Sequence, residues 1–327
     1  MRSTLRKGAV TIVGASAILS LALGGTALAD PNLDNAGAPL AGGYLPDAND
    51  VVGVGSDTTQ YVVNSAAQAQ SAPTPDVRLA SFNATKPGTE KNPGGPTTGD
   101  PIAIRPGTTI PRPDGSSAGI NALISTPQLD FARSSRARGS APAEANLYFI
   151  PALTDGLSYI VDDTAGADIR NLDATELAAI YRCTDTRGYA PKLPQTGSGT
   201  RSFFLGQIGV TDAQVGACVQ IVQEHDAAPV NGNPLALAPF STARFANNPP
   251  DPANPPSKIV NIATTAPTAG VFFASRTVFN VVRKADYDAA GSRLPAIFGP
   301  SGYLCTRFAS GANRQAFSAA TNCGALL

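Results

Sequence analysis

The chain has 327 residues, with 24 Lys and Arg balanced by 24 Asp and Glu and a single His, for a formal charge of +0. Without a basic excess to neutralise a phosphate backbone, bulk nucleic-acid binding is excluded. One His and four Cys at wide spacings give no zinc-type ligand set, so no metal or other cofactor is expected.

The chain opens with Arg2, Arg6 and Lys7, an apolar run from Ala9 to Leu23, and Ala27-Leu28-Ala29 before Asp30. A basic start, an apolar middle and a small-residue cleavage site make a secretory signal peptide over residues 1–29. The expected product is secreted, runs from Asp30 to Leu327 and has no Cys at the cleavage site for a lipid anchor. Losing the three positive charges leaves 21 basic residues against 24 acidic ones, a charge of −3. No later apolar run reaches membrane-spanning length without charge; Val271 to Val282 is interrupted by Arg276.

Asp30 to Asp50, rich in Pro, Gly, Ala and Asn, reads as a loose linker. Val51 to Val54 reads as a strand, Gly55-Ser56-Asp57-Thr58-Thr59 as a turn, and Gln60 to Gln70 as a helix. Ser81 to Pro113 reads as a long loop holding one strand at Ile102 to Arg105. Gly115-Ser116-Ser117-Ala118-Gly119 leads into a helix over Ala118 to Ile124. Leu129 to Ala132 is a short strand ending in Arg133-Ser134-Ser135-Arg136. Leu147 to Pro151 and Leu157 to Val161 read as two strands separated by a Thr154-Asp155-Gly156 turn. Apolar spacing predicts a helix over Leu172 to Tyr181. Gly197-Ser198-Gly199-Thr200-Arg201 opens a further helix over Ser202 to Ile208, and Thr211 is the expected N-cap of another reaching Gln223. Asn247 to Pro256 is a Pro-rich surface loop, and Val271 to Val282 is strand-like. The order of elements predicts an α/β architecture.

Export and an even cysteine count point to two disulfides. Of three possible pairings, Cys183–Cys218 and Cys305–Cys323 closes the shortest loops and is the expected one.

Three Gly/Ser turns share one design, each opening a helix: Gly55 to Thr59, Gly115 to Gly119 and Gly197 to Thr200. A helix start leaves backbone N–H groups without partners and favours negative charge. Serine and threonine hydroxyls add adaptable donors. Aimed at one point, the three turns would make an anion site of neutral donors. Taken singly, each is equally an N-cap contributing about 1 kcal/mol. Gly115 to Gly119 is also a literal G-x-S-x-G, which raises a secreted serine hydrolase with Ser117 as nucleophile, His225 as base and Asp155 or Asp163 as acid. Pro111 and Pro113 argue against the strand such a nucleophile requires.

These turns, with Phe131-Ala132-Arg133-Ser134-Ser135-Arg136, occur in an order that resembles the phosphate-binding proteins of ABC importers, nearest an actinobacterial branch. The resemblance implies a two-lobed, type II periplasmic-binding-protein-like α/β fold with the ligand in a cleft between lobes and capture by hinge closure. Residues 51–155 would begin lobe I, 156–270 form lobe II, and 271–327 return to lobe I with the cysteine-containing tail. The ligand set it implies is Ser56, Asp57, Thr58 and Thr59, Ser116 and Ser117, Arg133 and Ser135, and Ser198, Gly199, Thr200 and Arg201. It implies a monomer, phosphate or a related oxyanion as ligand, and an ABC importer as membrane partner, with no chemistry performed. Two positions depart from the family. Ser135 stands where a buried aspartate accepts a proton from phosphate, and Pro194 or Gln195 stands near the place of an arginine. Arg201, Arg133, Arg136 and Arg112 are the candidate replacements for that charge, and Asp57 for the acceptor. A second reading keeps the fold but makes the chain an envelope adhesin or scaffold.

Overall fold

The computed structural model describes residues 45–70, 78–85, 101–247, 259–261 and 270–327. The expected signal peptide, residues 30–44 of the linker and residues 248–256 of the Pro-rich loop lie outside the described residues.

The apolar run Val51–Gly55 forms β1, buried along its whole length, and Gln60–Gln70 forms α1. Leu79–Ser81 is β2, Pro101–Arg105 and Thr108–Pro111 are β3 and β4, Ser116–Ser125 is α2 and Phe131–Ser134 is β5. The long strand β6 is Leu147–Asp162. Then come α3 (Ala167–Arg170), α4 (Ala174–Tyr181), β7 (Ala190–Pro194), α5 (Gly199–Gln207) and β8 (Gln220–Val222). These are followed by β9 (Ala236–Ser241), α6 (Thr242–Asn247), β10 (Ile259–Asn261) and β11 (Ala274–Arg283). Short helices α7 (Lys284–Asp288), α8 (Leu294–Phe298) and α9 (Tyr303–Phe308) and strand β12 (Ser318–Ala319) close the chain.

Ten strands make one mixed sheet in the order β2-β1-β5-β11-β6-β9-β7-β8, with β10 and β12 added against β6. Strands β2, β1 and β5 run parallel at one end, and β9, β7 and β8 run parallel at the other. The antiparallel pair β6–β11 joins the two ends through ten paired positions. Each end has its own core, because strands buried on both faces need helices above and below. Val63, Leu79, Phe131 and Phe298 fill one face of the first end, and Val54, Ile120, Phe149 and Val281 the other. At the second end Leu177, Leu193, Phe204 and Leu237 form the main cluster, with Ile160 and Phe240 in a smaller one.

Several expectations are corrected. Thr154-Asp155-Gly156 is not a turn: β6 runs straight through it, because β11 pairs with β6 between Leu147 and Leu157 and places Arg276 directly opposite Asp155. A Cβ on Gly156 would come within 2.6 Å of Thr242 Oγ1, so this glycine serves close packing. Thr211 to Gln223 is not one helix. A single 3-10 turn at Asp212–Gln214 is followed by β8. Gly216 N donates to Tyr181 O, and the Cys183–Cys218 bridge ties the segment to the end of α4. The loop from Ser81 to Pro113 carries a β3–β4 hairpin rather than one strand. The helix after Gly197 begins at Gly199, with Ser198 as its N-cap accepting from Arg201 N, rather than at Ser202. Similarly, α4 starts at Ala174 because Asp173 and Glu176 form a reciprocal capping box. Both disulfides join the expected cysteines, 183 to 218 and 305 to 323.

Helix α2 lies directly on β1: a Cβ on Gly119 would sit 2.4 Å from the Gly55 Cα. Backbone cannot yield as a flexible side chain can, so Gly119→Ala must push α2 away from the sheet. We expect it to destabilise the chain by about 1–3 kcal/mol in urea unfolding. An unchanged midpoint would show that α2 does not hold this contact.

Candidate functional site

The Gly/Ser turns converge where the two ends of the sheet meet. Ser117 N donates to Gly197 O at 2.9 Å, so the second and third turns touch. Behind them the hydroxyls of Ser56, Ser116 and Ser135 form a buried network, with Ser135 Oγ 3.1 Å from Ser56 Oγ and 3.3 Å from Ser116 Oγ. Gly199 packs onto that network. A Cβ there would fall 2.2 Å from Ser116 Oγ and 2.3 Å from Ser135 Oγ, so only glycine lets the start of α5 approach this closely.

Next to it lies a charged cluster. Arg276, buried on β11, pairs with Asp155 through Nη2 at 2.8 Å and Nε at 3.1 Å. The same Nη2 donates to Thr200 Oγ1 at 2.9 Å and reaches Thr58 Oγ1 at 3.4 Å. Thr58 and Thr200 thus meet at one guanidinium carried by the joining strands. Asp57, in the first turn, receives Arg244 from α6 at 3.1 Å and His225 Nδ1 at 2.5 Å. Arg244 also stacks 4.1 Å over the Tyr61 ring. Burial opposes ionisation of Asp57, but the Arg244 charge and the His225 hydrogen bond outweigh it and hold its pKa below the ordinary value. Glu224 Oε1 accepts from Thr200 N and from Thr58 Oγ1, each at 3.3 Å.

Several buried groups here have a polar atom without a partner: Thr59 Oγ1, Arg276 Nη1, Arg244 Nη1, Glu224 Oε2 and Asp114 Oδ2. Asp114 accepts from Gln195 Nε2 at 2.9 Å and Gln223 Nε2 at 3.1 Å. Its burial, with Glu224 and Asp57 nearby, pushes its pKa up to about 7 despite those hydrogen bonds.

Of the expected ligand residues, Thr58, Thr200 and Asp57 face the charged cluster, and Ser56, Ser116, Ser135 and Gly199 form the hydroxyl wall beside it. Thr59 is buried with its hydroxyl unpartnered. Ser198 serves as the α5 N-cap. Three residues are employed elsewhere. Arg133 binds the carbonyls of Gly55, Ser56 and Phe82 and the Ser81 hydroxyl. Arg201 pairs with Asp212 and donates to Pro194 O. Ser117 Oγ accepts from Arg136 Nε, and Arg136 pairs with Glu144. Arg112, another nominated replacement, donates to Asn83 O. The guanidiniums at the cluster are Arg276 and Arg244, which sequence reasoning did not nominate. Arg276 had left a signal, as the one charge inside an apolar strand; Arg244 had left none. The hydrolase pair is not assembled: the His225 ring faces Asp57 and, at 3.5 Å, Thr200, while Ser117 is held by Arg136. Among the described residues no group of three His, Cys, Asp or Glu is placed to hold a metal, and no helix is long and apolar enough to cross a membrane.

The site thus offers clustered hydroxyls, a helix start and guanidinium groups at the junction of two α/β units, an arrangement suited to holding a small anion. The fold is that of the type II periplasmic-binding-protein-like class. It is similar to the solved structure of a substrate-binding protein from Clostridium perfringens assigned to a phosphate ABC transporter, with bound phosphate; identity is 16%, covering 84% of this chain and 100% of that one, at a TM-score of 0.58. It is also similar to an ABC-type phosphate transport receptor from Vibrio cholerae, at 18% identity, 83% and 100% coverage, and a TM-score of 0.52. No protein-family model matches the chain, and no curated protein matches it by sequence.

Asp114 gives a pH test. An unfolded carboxyl ionises near 3.8, whereas the native one holds its proton to about 7. The native state therefore binds the extra proton between those values, and the contribution to stability falls as pH rises through that window. Asp114→Asn removes the penalty. Relative to the unmodified chain, we expect a gain of about 1–3 kcal/mol at pH 8 and almost none near pH 4 in denaturant unfolding. A difference that stays constant with pH would contradict a raised Asp114.

Proposed function

We propose that the chain is an exported solute-binding protein that captures a small oxyanion, phosphate first, for uptake through an ABC importer. The observation that carries this reading is the meeting of Thr58 and Thr200, from opposite ends of the sheet, at the Arg276 guanidinium. Hydroxyls from the two units and a charge from the strands between them are what an anion needs if its binding is to draw the units together. The likeness to phosphate-binding structures supports the class of ligand, and the Gly-Ser-Ser-x-Gly and Gly-Ser-Gly-Thr turns carry the resemblance to phosphate-binding proteins, which we place nearest an actinobacterial branch. We place the lobe boundaries at 51–155, 156–270 and 271–327, where β6 leaves the first unit and β11 returns. The absence of a serine–histidine pair at Ser117 favours binding without turnover.

The envelope adhesin or scaffold remains as a second reading. It is favoured by one observation: Arg276, Asp57 and Thr200 already have partners within the chain.

Calorimetry on residues Asp30 to Leu327, stripped of carried-over ligand with the disulfides intact, tests the first reading. Phosphate should give a saturable one-to-one isotherm. Arg276→Ala should weaken it about 10-fold or more, since charge-assisted hydrogen bonds contribute roughly 1.5–3 kcal/mol. Sulfate titrated in parallel reports whether the Ser135 position admits an unprotonated oxyanion. No heat from either anion with folded protein would remove oxyanion capture and leave the scaffold.

A further inference from the structure

The carboxyl groups of Asp57, Asp155 and Glu224 at the cluster are not held alike. Asp57 has Arg244 and His225, and Asp155 has Arg276. Glu224 has no cationic partner among the described residues. Its Oε1 is held by two neutral donors, Thr200 N–H and Thr58 O–H, and its Oε2 is buried with no partner. The residue is 1% exposed. A buried carboxylate with half its acceptors unused is costly unless the surrounding donors are themselves short of an anion. Here they are. The Thr200 N–H lies in the first turn of α5, which has no acidic residue of its own, and Arg276 Nη1 and Thr59 Oγ1 are buried without partners. Glu224 reaches this position from the segment between β8 and β9, where its N–H is fixed by Gln195 Oε1 at 2.8 Å.

We propose that Glu224 is a tethered anion that occupies the oxyanion position formed by Thr200 N–H and Thr58, and that a free oxyanion enters by exchanging for it. This rests on the reading of the site as an oxyanion site only in naming what exchanges. A carboxylate uses two donors here. A tetrahedral oxyanion carries more acceptor oxygens, and the buried Arg276 Nη1 and Thr59 hydroxyl are the additional donors it can recruit. Exchange therefore favours small, multiply charged tetrahedral anions over monocarboxylates, which would only repeat what Glu224 supplies. Ligand capture is then a competition with the chain's own side chain, and Glu224 sets the threshold concentration at which the site loads.

The test uses residues Asp30 to Leu327 as the unmodified chain, Glu224→Ala and Glu224→Gln. Phosphate affinity is measured by calorimetry, and thermal midpoints are measured against rising formate. With the tether gone, phosphate should bind Glu224→Ala about 10-fold more tightly or better. Formate, a free carboxylate, should raise the midpoint of Glu224→Ala saturably while leaving the unmodified chain unchanged. Either result supports the tethered anion, and the absence of both overturns it. Formate rescue with no phosphate binding in any form would keep the tether and remove phosphate. Equal phosphate affinity in all forms without rescue would keep phosphate and remove the tether. Should Glu224→Ala fail to fold, Glu224→Gln decides: it keeps the side-chain shape without the charge, so tighter phosphate binding supports the proposal, and equal or weaker binding overturns it.

Discussion

The structure depends on the ion pair between Asp155 and Arg276, set face to face on the two strands that join its halves. Both side chains are almost wholly buried, at 0% and 2% exposure. Taking two charges out of water is costly, and only short, well-aligned hydrogen bonds recover the cost. Asp155 meets that demand with two bonds to Arg276 and a third from Ser241 Oγ. Held this way, the guanidinium also reaches Thr58 on one side and Thr200 on the other through the Nη2 that binds Asp155, while Nη1 is left without a partner. The turns that carry those threonines are positioned in turn by the backbone contact of Gly119 with Gly55 and by the capping of α5 by Ser198.

Around that pair the carboxyl groups are held differently. Arg244 and His225 keep the Asp57 pKa below its ordinary value despite burial, burial pushes Asp114 toward its neutral form, and Glu224 Oε1 is held by two neutral donors. Asp114 is raised partly because the other two are near, so the cluster as a whole resists a further negative charge unless one of its members yields. On the proposed reading, an incoming oxyanion has to bring better hydrogen bonding than the carboxylate it displaces.

Much of the frame was legible in the sequence, because local chemistry decides it. The apolar run at Val51, the helix starting at Gln60, the helix-opening turn at Gly197 and the two disulfides all follow from short-range residue patterns. The resemblance carried by the Gly/Ser turns led to the right fold class, and Thr58 and Thr200 do come together. What was missed depends on long-range pairing. Thr154-Asp155-Gly156 has the composition of a turn, and only β11, more than a hundred residues later, keeps it extended. Thr211 to Gln223 has helical spacing, but a disulfide and the contact at Gly216 hold it otherwise. The nominated arginines and those found at the cluster differ for a related reason. Proximity in sequence favoured Arg133 and Arg201, whose guanidiniums are consumed by backbone carbonyls and by Asp212, while the cluster recruits Arg276 and Arg244 from distant elements.

The placement of the disulfides has a mechanical consequence. Cys183–Cys218 lies within the unit that contains α4 and β8, and Cys305–Cys323 fastens α9 to the tail beside Pro151 in the other unit. Neither bridge crosses the junction. Oxidation thus cross-links each unit internally and adds no covalent tie between the two. The two units are joined by the β6–β11 ribbon, whose register slips between Val278 and Phe279. With both bridges formed, the β6–β11 joint carries no disulfide of its own.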